Sequence, residues 1–595
     1  MKIRDLHRKY GHIQEIIIQN FVPKANTSMR EAEGASLDEL LFTVAACRLL
    51  MPEQNIQVPP NLSDNRNWSA LIAAGINDFG GISPGVTPDF VSPEMPWPNI
   101  AALSESVSKA NKVLLPRTCV YPSYIRDYDE GLKWLSFERR ASPMRSILRA
   151  VDGDGYVRAS PWFAGKLSNE HQDASLEEEK ASEEPSKPAA RPRRISAVPR
   201  MRIAREASSV RMGRSGSLEG CSVPQGPRHT LESKVLVDRA LSRGSFSVEE
   251  IVRMFRARGR DFDAVVEAAD DVRQHVNGDE VSYVVNRNIN YTNVCEYSCK
   301  FCAFSKGSKT EDLRGPSYLL DDAEIGARVR EAAKHGATEV CMQGGIHPEF
   351  TGYDYLRILE AAKSACPDIH VHAFSPLEIA HGAATLDLSQ KQFLGMLKDA
   401  GLGSLPGTAA EVLTDSVRRR LCPDKLTARE WVDVIRTAHE VGLPTTSTIM
   451  FGHVDNYFDW ATHLLLLRDI QAATGGITEF VPLPFVHMEA PMYRAGTSRA
   501  GPTLHESVLM HAVGRLVLSP LVKNVQASWV KMGPEMAAEL LLAGCNDMGG
   551  TLMNESITRA AGAEFGQLVS TNDMQRLIRA SGRVPYQRST TYARR

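Results

Sequence analysis

The sequence predicts an α/β protein with a complete (β/α)8 TIM-like barrel at its C-terminus, preceded by a partial second barrel and a disordered linker. Three observations carry this expectation. Eight short apolar stretches alternate with helix-periodic segments in the C-terminal half, a segment near the N-terminus repeats part of that half, and an aromatic-free polar stretch separates the two.

The strand candidates lie near 281–288, 338–343, 369–374, 402–405, 445–450, 478–483, 523–528 and 544–548. Each ends in Gly, Pro or polar residues and is followed by a helical pattern, the rhythm of a barrel with helices outside parallel strands. Ahead of them, Ser247-Val-Glu-Glu250 reads as a capping box opening a helix that packs outside the first strand.

The repeat appears at a constant offset of 469, where Gln57, Leu71, Ala74, Gly75, Asn77, Asp78, Gly80 and Gly81 each meet an identical residue between Gln526 and Gly550. Further upstream, Glu15 to Val22 parallels Glu479 to Val486 at an offset of 464. Residues 1–164 are therefore read as a partial barrel, the last third of a domain whose full copy occupies 233–595. Between Lys166 and Arg228 there is no Phe, Trp or Tyr, and an acidic block precedes an arginine block. Such composition cannot offset the entropy of ordering, so 165–232 is expected to be a disordered linker.

The chain has 595 residues and a formal net charge of -2, which argues against global attraction to nucleic acid or an anionic membrane. No stretch reaches the roughly 18 apolar residues of a membrane span, and Met1 opens onto Lys2, Arg4, Asp5, Arg8 and Lys9 without an apolar leader. A cytoplasmic protein with neither nucleic-acid nor membrane partners is the expectation.

Seven of the ten cysteines are scattered, but Cys295, Cys299 and Cys302 cluster just after the first strand candidate, on the face where barrel active sites lie. Three thiolates can hold three irons of a 4Fe-4S cluster and leave the fourth open to chelate S-adenosyl-L-methionine. A zinc site or an electron-transfer cluster needs a fourth protein ligand, and the next cysteine, Cys341, lies 39 residues on, inside a strand. The C-x3-C-x2-C spacing with Phe301 before the last cysteine favours the open-iron arrangement. After the second strand, Gln343, Gly344 and Gly345 form a turn suited to close approach of a cofactor.

The run Asn286 to Cys295, with Cys302-Ala-Phe-Ser-Lys306, resembles the radical S-adenosylmethionine enzymes of deazaflavin (FO) synthesis. The likeness continues through His370-Val-His372, Gly403 to Glu411, Met450 to Asp455, Glu479 to Glu489 and Asn546 to Glu555. It implies a C-terminal module that couples the 4-hydroxybenzyl group of L-tyrosine to 5-amino-6-(D-ribitylamino)uracil, with electrons from a flavodoxin or ferredoxin. Residues 1–164 resemble the end of the partner module, the deazariboflavin synthase, so the whole looks like a fused synthase lacking the front of its first part. Residues 1–232 are then expected to be dispensable for coupling.

On this resemblance Cys295, Cys299 and Cys302 are the cluster ligands; Phe301, Gln343, Gly344, Gly345 and Glu411 lie on the cofactor side; and His372, His453 and His487 bind substrate or move protons. Asn546 and Asp547 either contact the ribityl hydroxyls or form a shared turn, as Asn77 and Asp78 would. Related tyrosine lyases and menaquinone-pathway radical enzymes, and a non-catalytic iron-sulfur or zinc scaffold, are the competing readings.

Overall fold

The computed structural model describes residues 1–62, 67–83, 95–126, 143–167, 231–242, 244–306 and 316–595. The predicted linker falls, from 168 to 230, outside the described residues. The described chain forms two compact units, Met1–Pro122 and Ser123–Arg595, so residues 143–167 group with the C-terminal unit, whereas the sequence reading assigns 143–164 to the N-terminal module and 165–167 to the linker.

Strands β1 (Glu15–Ile17) and β2 (Asn55–Gln57) belong to the first unit. The second carries β3 (Glu280–Val284), β4 (Asn286–Ile289), β5 (Glu339–Met342), β6 (His370–Ala373), β7 (Thr445–Phe451), β8 (Ile477–Pro484), β9 (Asp547–Gly550) and β10 (Val584–Gln587). The first strand candidate is thus broken at Val285. Before the break β3 pairs in parallel with β9 and β10, and after it β4 pairs in parallel with β5.

From β5 the parallel pairings run to β6, then through the bridges His372–Ser404 and Leu405–Thr445 to β7 and β8. Bridges Phe480–Val525 and Gln526–Asp547 lead on to β9, which pairs with β3. The predicted strands at 402–405 and 523–528 are present as these short bridged positions. The final strand β10, outside this circuit, has no counterpart among the sequence candidates.

Helices follow the strands as the periodicity predicts, and their starts are fixed by reciprocal caps. Ser247 and Glu250, Ser375 and Glu378, Thr427 and Glu430, Asn456 and Asp459, and Thr503 and Glu506 each form a capping box. The helix Leu504–Leu518 is buried along nearly its whole length, between the strands and the helices Val248–Phe255 and Arg260–Asn277.

The N-terminal unit reproduces the end of the C-terminal one in its hydrogen bonds. Asn77 Oδ1 accepts the amide of Ile56 at 2.8 Å, and Asn546 Oδ1 accepts that of Val525 at 3.0 Å. Arg48 donates to Asn77 Oδ1 and the Gly75 carbonyl, as Arg515 does to Asn546 Oδ1 and the Gly544 carbonyl. Bridge Gln57–Asp78 matches Gln526–Asp547. Glycine is required at Gly80 and Gly549 in the same way, because each has positive φ and a Cβ there would lie 2.2 or 2.5 Å from the facing glutamine amide.

A four-residue anchor completes each copy. In the C-terminal unit Arg588 pairs with Asp547 at 2.5 Å and reaches Glu479 at 3.4 Å, while Tyr592 donates to Glu479 at 2.6 Å. In the N-terminal unit Arg117 pairs with Asp78 at 2.5 Å and Glu15 at 3.5 Å, while Tyr121 donates to Glu15 at 2.7 Å. Each arginine also lies over its tyrosine ring, 4.1 and 4.0 Å from the centroid. The anchor is nearly dry in the C-terminal unit, where Arg588 is 2% exposed and burial pushes the Glu479 carboxyl up to about 7 against the opposing pull of Arg588.

Removing the cation from such a pair strands buried acids, so Arg588→Ala is expected to cost the C-terminal unit roughly 3–5 kcal/mol. Denaturant unfolding of the full chain checks this, and an unchanged midpoint for the C-terminal transition would contradict it.

Candidate active site

The cysteine loop leaves β4 at Asn290, and backbone hydrogen bonds close it. Cys295 N donates to the Lys306 carbonyl at 3.0 Å and Lys306 N to the Asn293 carbonyl at 2.7 Å. From outside, Asp424 accepts the Ser298 amide at 2.8 Å and the Leu421 carbonyl accepts the Lys300 amide at 2.9 Å. Because all the paired strands are parallel, the segments after β5, β7, β8 and β9 emerge at the same end as this loop.

Backbone amides aim at sulfur: Ile346 N lies 3.4 Å from Cys295 Sγ and Ser305 N 3.3 Å from Cys302 Sγ. Burial pushes the Cys295 and Cys299 thiols up, opposed by the Ile346 amide at the first and by Lys425 at the second. Bonding to iron deprotonates such thiols, and N–H donors with a nearby ammonium suit the resulting thiolates. Among the described residues no three His, Cys, Asp or Glu side chains converge closely enough to hold a single ion. Ligands of a cluster bind different irons, so the donor set fits a cluster carried by one loop.

The paired glycines act through space rather than through their amides. Gly344 N is already committed to Glu378 Oε1 at 3.2 Å, and Gly345 N to the Thr292 carbonyl at 3.0 Å. A Cβ on Gly345 would lie 2.1 Å from the Val294 carbonyl oxygen and 2.9 Å from Cys295 Cβ; one on Gly344 would meet the Tyr291 ring at 2.3 Å. Glu378 supports the same turn, accepting from Tyr291, Gly344 and its own cap residue Ser375. Gln343 ties two strands together: its side chain accepts from Thr408 at 3.0 Å and its carbonyl from Asn290 at 3.1 Å.

Glu411, held at a positive φ of 48°, is paired with Lys425 at 3.1 Å. The Lys425 ammonium lies 5.3 Å from the Phe301 ring centroid, which brings Glu411, Lys425, Phe301 and Cys299 into one cluster. Lys425 is absent from the sequence candidates; it sits in Cys422-Pro-Asp-Lys425 after a helix, a stretch that reads as a connecting turn.

The three histidines have different surroundings. His372 lies within β6, with Nδ1 2.7 Å from Ser404 Oγ, and burial lowers its pKa to about 4. His453 is fully buried with both ring nitrogens engaged, Nε2 with the Met450 carbonyl at 2.8 Å and Nδ1 with the Val454 amide at 2.8 Å. His487 differs: its Nδ1 is buried without a hydrogen-bond partner among the described residues. Its ring sits 4.3 Å from that of Tyr493 and 5.3 Å from that of Phe163. Asn546 and Asp547 are consumed by the backbone, Arg515 and Arg588, as in the shared turn.

Lys531 and Glu555 add a second charged pair of positions. Lys531 Nζ donates to Thr558 Oγ1 at 3.3 Å, burial lowers its pKa against the pull of Glu555 and Glu411, and Glu555 Oε2 is buried without a partner among the described residues. The repeat held a signal for Lys531, since its counterpart at the offset of 469 is the apolar Leu62.

Residues 289–467 match the Radical SAM superfamily and residues 474–595 the CofH/MqnC C-terminal region. The FO synthase of Streptomyces coelicolor is 41% identical over 594 residues, covering 99% of this chain and 66% of that protein. The FO synthase of Nocardia farcinica is 40% identical, covering 100% of this chain and 68% of that one. A 5-amino-6-(D-ribitylamino)uracil–L-tyrosine 4-hydroxyphenyl transferase of Methanopyrus kandleri is 49% identical over 359 residues, covering 58% of this chain and 96% of that protein. The chain thus spans about two thirds of the length of the FO synthases it matches.

Gly345→Ala is expected to push the Val294–Cys295 backbone away and to leave the purified, anaerobically reconstituted protein with less than about half the wild-type iron and sulfide. Full iron content in that variant would show that the glycine contact does not position the loop.

Proposed function

This chain belongs to the FO synthase family, and we propose that its C-terminal unit is a radical S-adenosylmethionine transferase joining the 4-hydroxybenzyl group of L-tyrosine to 5-amino-6-(D-ribitylamino)uracil. The single observation that carries the reading is the 49% identity to a tyrosine 4-hydroxyphenyl transferase, 96% of which this chain covers. The circuit of parallel pairings supports a closed (β/α)8 barrel around the site, and the duplicated anchor supports reading the N-terminal unit as part of a second barrel.

Cys295, Cys299 and Cys302 would hold a 4Fe-4S cluster, which together with S-adenosyl-L-methionine would supply radical hydrogen-abstraction chemistry. The chain's own residues do the remaining work. Gly344 and Gly345 let the turn after β5 press against the cysteine loop, and Gln343 fixes that turn to Asn290 and Thr408. Glu411, restrained by Lys425, presents a carboxylate beside Phe301 for the cofactor's polar groups. His487 stays neutral at neutral pH, so its Nδ1, without a partner among the described residues, is suited to a hydrogen bond with the phenol or amine of a tyrosine. Lys531 and Glu555 offer a donor and an acceptor for the polyhydroxylated uracil. His372 and His453, candidates from the sequence, act as supports, since their hydrogen bonds are made within the fold. Reduction by a flavodoxin or ferredoxin fits the chemistry.

Anaerobic reconstitution followed by incubation with both substrates tests the reading. It predicts 5′-deoxyadenosine together with a tyrosine-derived adduct of the uracil; 5′-deoxyadenosine without that adduct would reject the assigned substrates.

A further inference from the structure

The C-terminal unit contains more chain than the part carrying the strands and cysteines. Residues 143–167 run across it as a strap that starts in the helix Pro143–Ala150. The strap then turns through Asp152-Gly-Asp-Gly155, where Asp152 Oδ1 accepts the amides of Asp154 and Tyr156, each at 2.9 Å.

This turn is pinned by charge. Asp152 pairs with Arg258 at 3.0 Å, and Asp154 with Arg126 at 2.6 Å and Arg256 at 3.0 Å. Between them, Gly153 N donates at 2.7 Å to Glu506 Oε1. Glu506 is the carboxylate that caps the buried helix Leu504–Leu518 and pairs with Arg499 at 3.0 Å. A Cβ on Gly153 would come within 2.8 Å of that carboxylate, so the backbone approach depends on glycine. Arg158 then ties the strap to the carbonyls of Gly501 at 2.7 Å and Pro502 at 3.0 Å, and Trp162 and Ala164 enter the core.

The far end of the strap meets the chain just beyond three successive strand positions of the site face. Phe163 packs on His487, which follows β8. Gly165 N donates at 2.7 Å to the carbonyl of Lys531, which follows the bridged position at 525–526. The Gly165 carbonyl accepts the amide of Glu564, beyond β9, at 2.8 Å. The guanidinium of Arg158 lies 4.7 Å from the Phe163 ring centroid and steadies the ring from within the strap.

We infer that residues 143–167 are a working part of the C-terminal catalytic unit, forming the wall of its substrate side at His487, with Phe163 as a positioning residue for that imidazole. The inference rests on the reading of this unit as a radical transferase. Burial, followed by the strap's own Arg158, Lys166 and Arg149, lowers the His487 pKa to about 4, so the strap favours the neutral ring whose Nδ1 is open to a ligand. Loss of the strap would expose Trp162's place in the core and remove the carboxylate partner of Arg258 and one amide donor to Glu506. Residues 1–232 are therefore not uniformly dispensable, against the expectation from sequence; within them 143–167 are needed.

The test uses the full chain, reconstituted anaerobically. Phe163→Ala is expected to keep wild-type iron content and formation of 5′-deoxyadenosine, while raising KM for one organic substrate by roughly tenfold or more. Phe163→Leu, which keeps an apolar side chain in place, is expected to restore most of the difference. Wild-type KM and kcat in Phe163→Ala would overturn the positioning role. A second measurement does not depend on the substrates: amide hydrogen exchange at Gly165 and Glu564 is expected to be protected like that of the strands, and exchange at the rate of an unstructured peptide would overturn docking of the strap. If wild-type protein makes no tyrosine–uracil adduct while these amides stay protected, the substrate reading fails and the docked strap stands.

Discussion

The architecture of the site depends on one contact that leaves no room for a side chain. Where the turn after β5 meets the cysteine loop, a single carbon added to Gly345 would overlap the Val294 carbonyl and crowd Cys295. This closeness lets the amide of Ile346 reach the Cys295 sulfur and lets Glu296 N bond the Ile346 carbonyl at 2.9 Å. Loop and turn thus behave as one body, held below by Glu378 and to the side by Gln343. The proposed three-thiolate cluster would need sulfurs held in place by the fold, and this pairing of a short loop with a glycine turn restrains Cys295.

Much of this was legible in the sequence, because it is written in local spacing. The cysteine triplet, the glycine pair and the apolar stretches each occupy a few consecutive residues, and parallel pairing then carries them to one end of the sheet. Capping boxes were equally legible, as at Ser247 and Glu250. The break at Val285 was not, since it arises when one strand changes partners from β9 to β5, a property of long-range pairing. The histidines show the same limit. His372, His453 and His487 look alike after apolar runs, and the difference between them is what each finds: Ser404, two backbone groups, or, for Nδ1 of His487, no hydrogen-bond partner among the described residues.

The repeat was read from identities at one offset, and the structure extends it to residues that offset could not reach. Arg117 and Tyr121 match Arg588 and Tyr592 at an offset of 471, two residues out of register with the Asn-Asp-x-Gly-Gly segment, so a fixed-offset comparison passes over them. Their role is physical: an arginine and a tyrosine satisfy two acids that burial would otherwise leave uncompensated. The same accounting explains Asn77 and Asn546, whose side chains bind backbone and arginine in place of any ligand. The strap, in contrast, works through main-chain bonds of Gly153 and Gly165 and through aspartates in a Gly-rich turn, which carry no periodic pattern, so the sequence places it up to residue 164 with the partial barrel by position alone.

The central claim is that three cysteines hold a cluster with one iron left open. Mössbauer spectroscopy of the full chain, reconstituted with isotopically enriched iron and measured with and without S-adenosyl-L-methionine, tests it most directly. One iron of the 4Fe-4S cluster is predicted to change its parameters when the cofactor is added, while the other three keep theirs. A spectrum in which no iron responds to the cofactor would contradict the account.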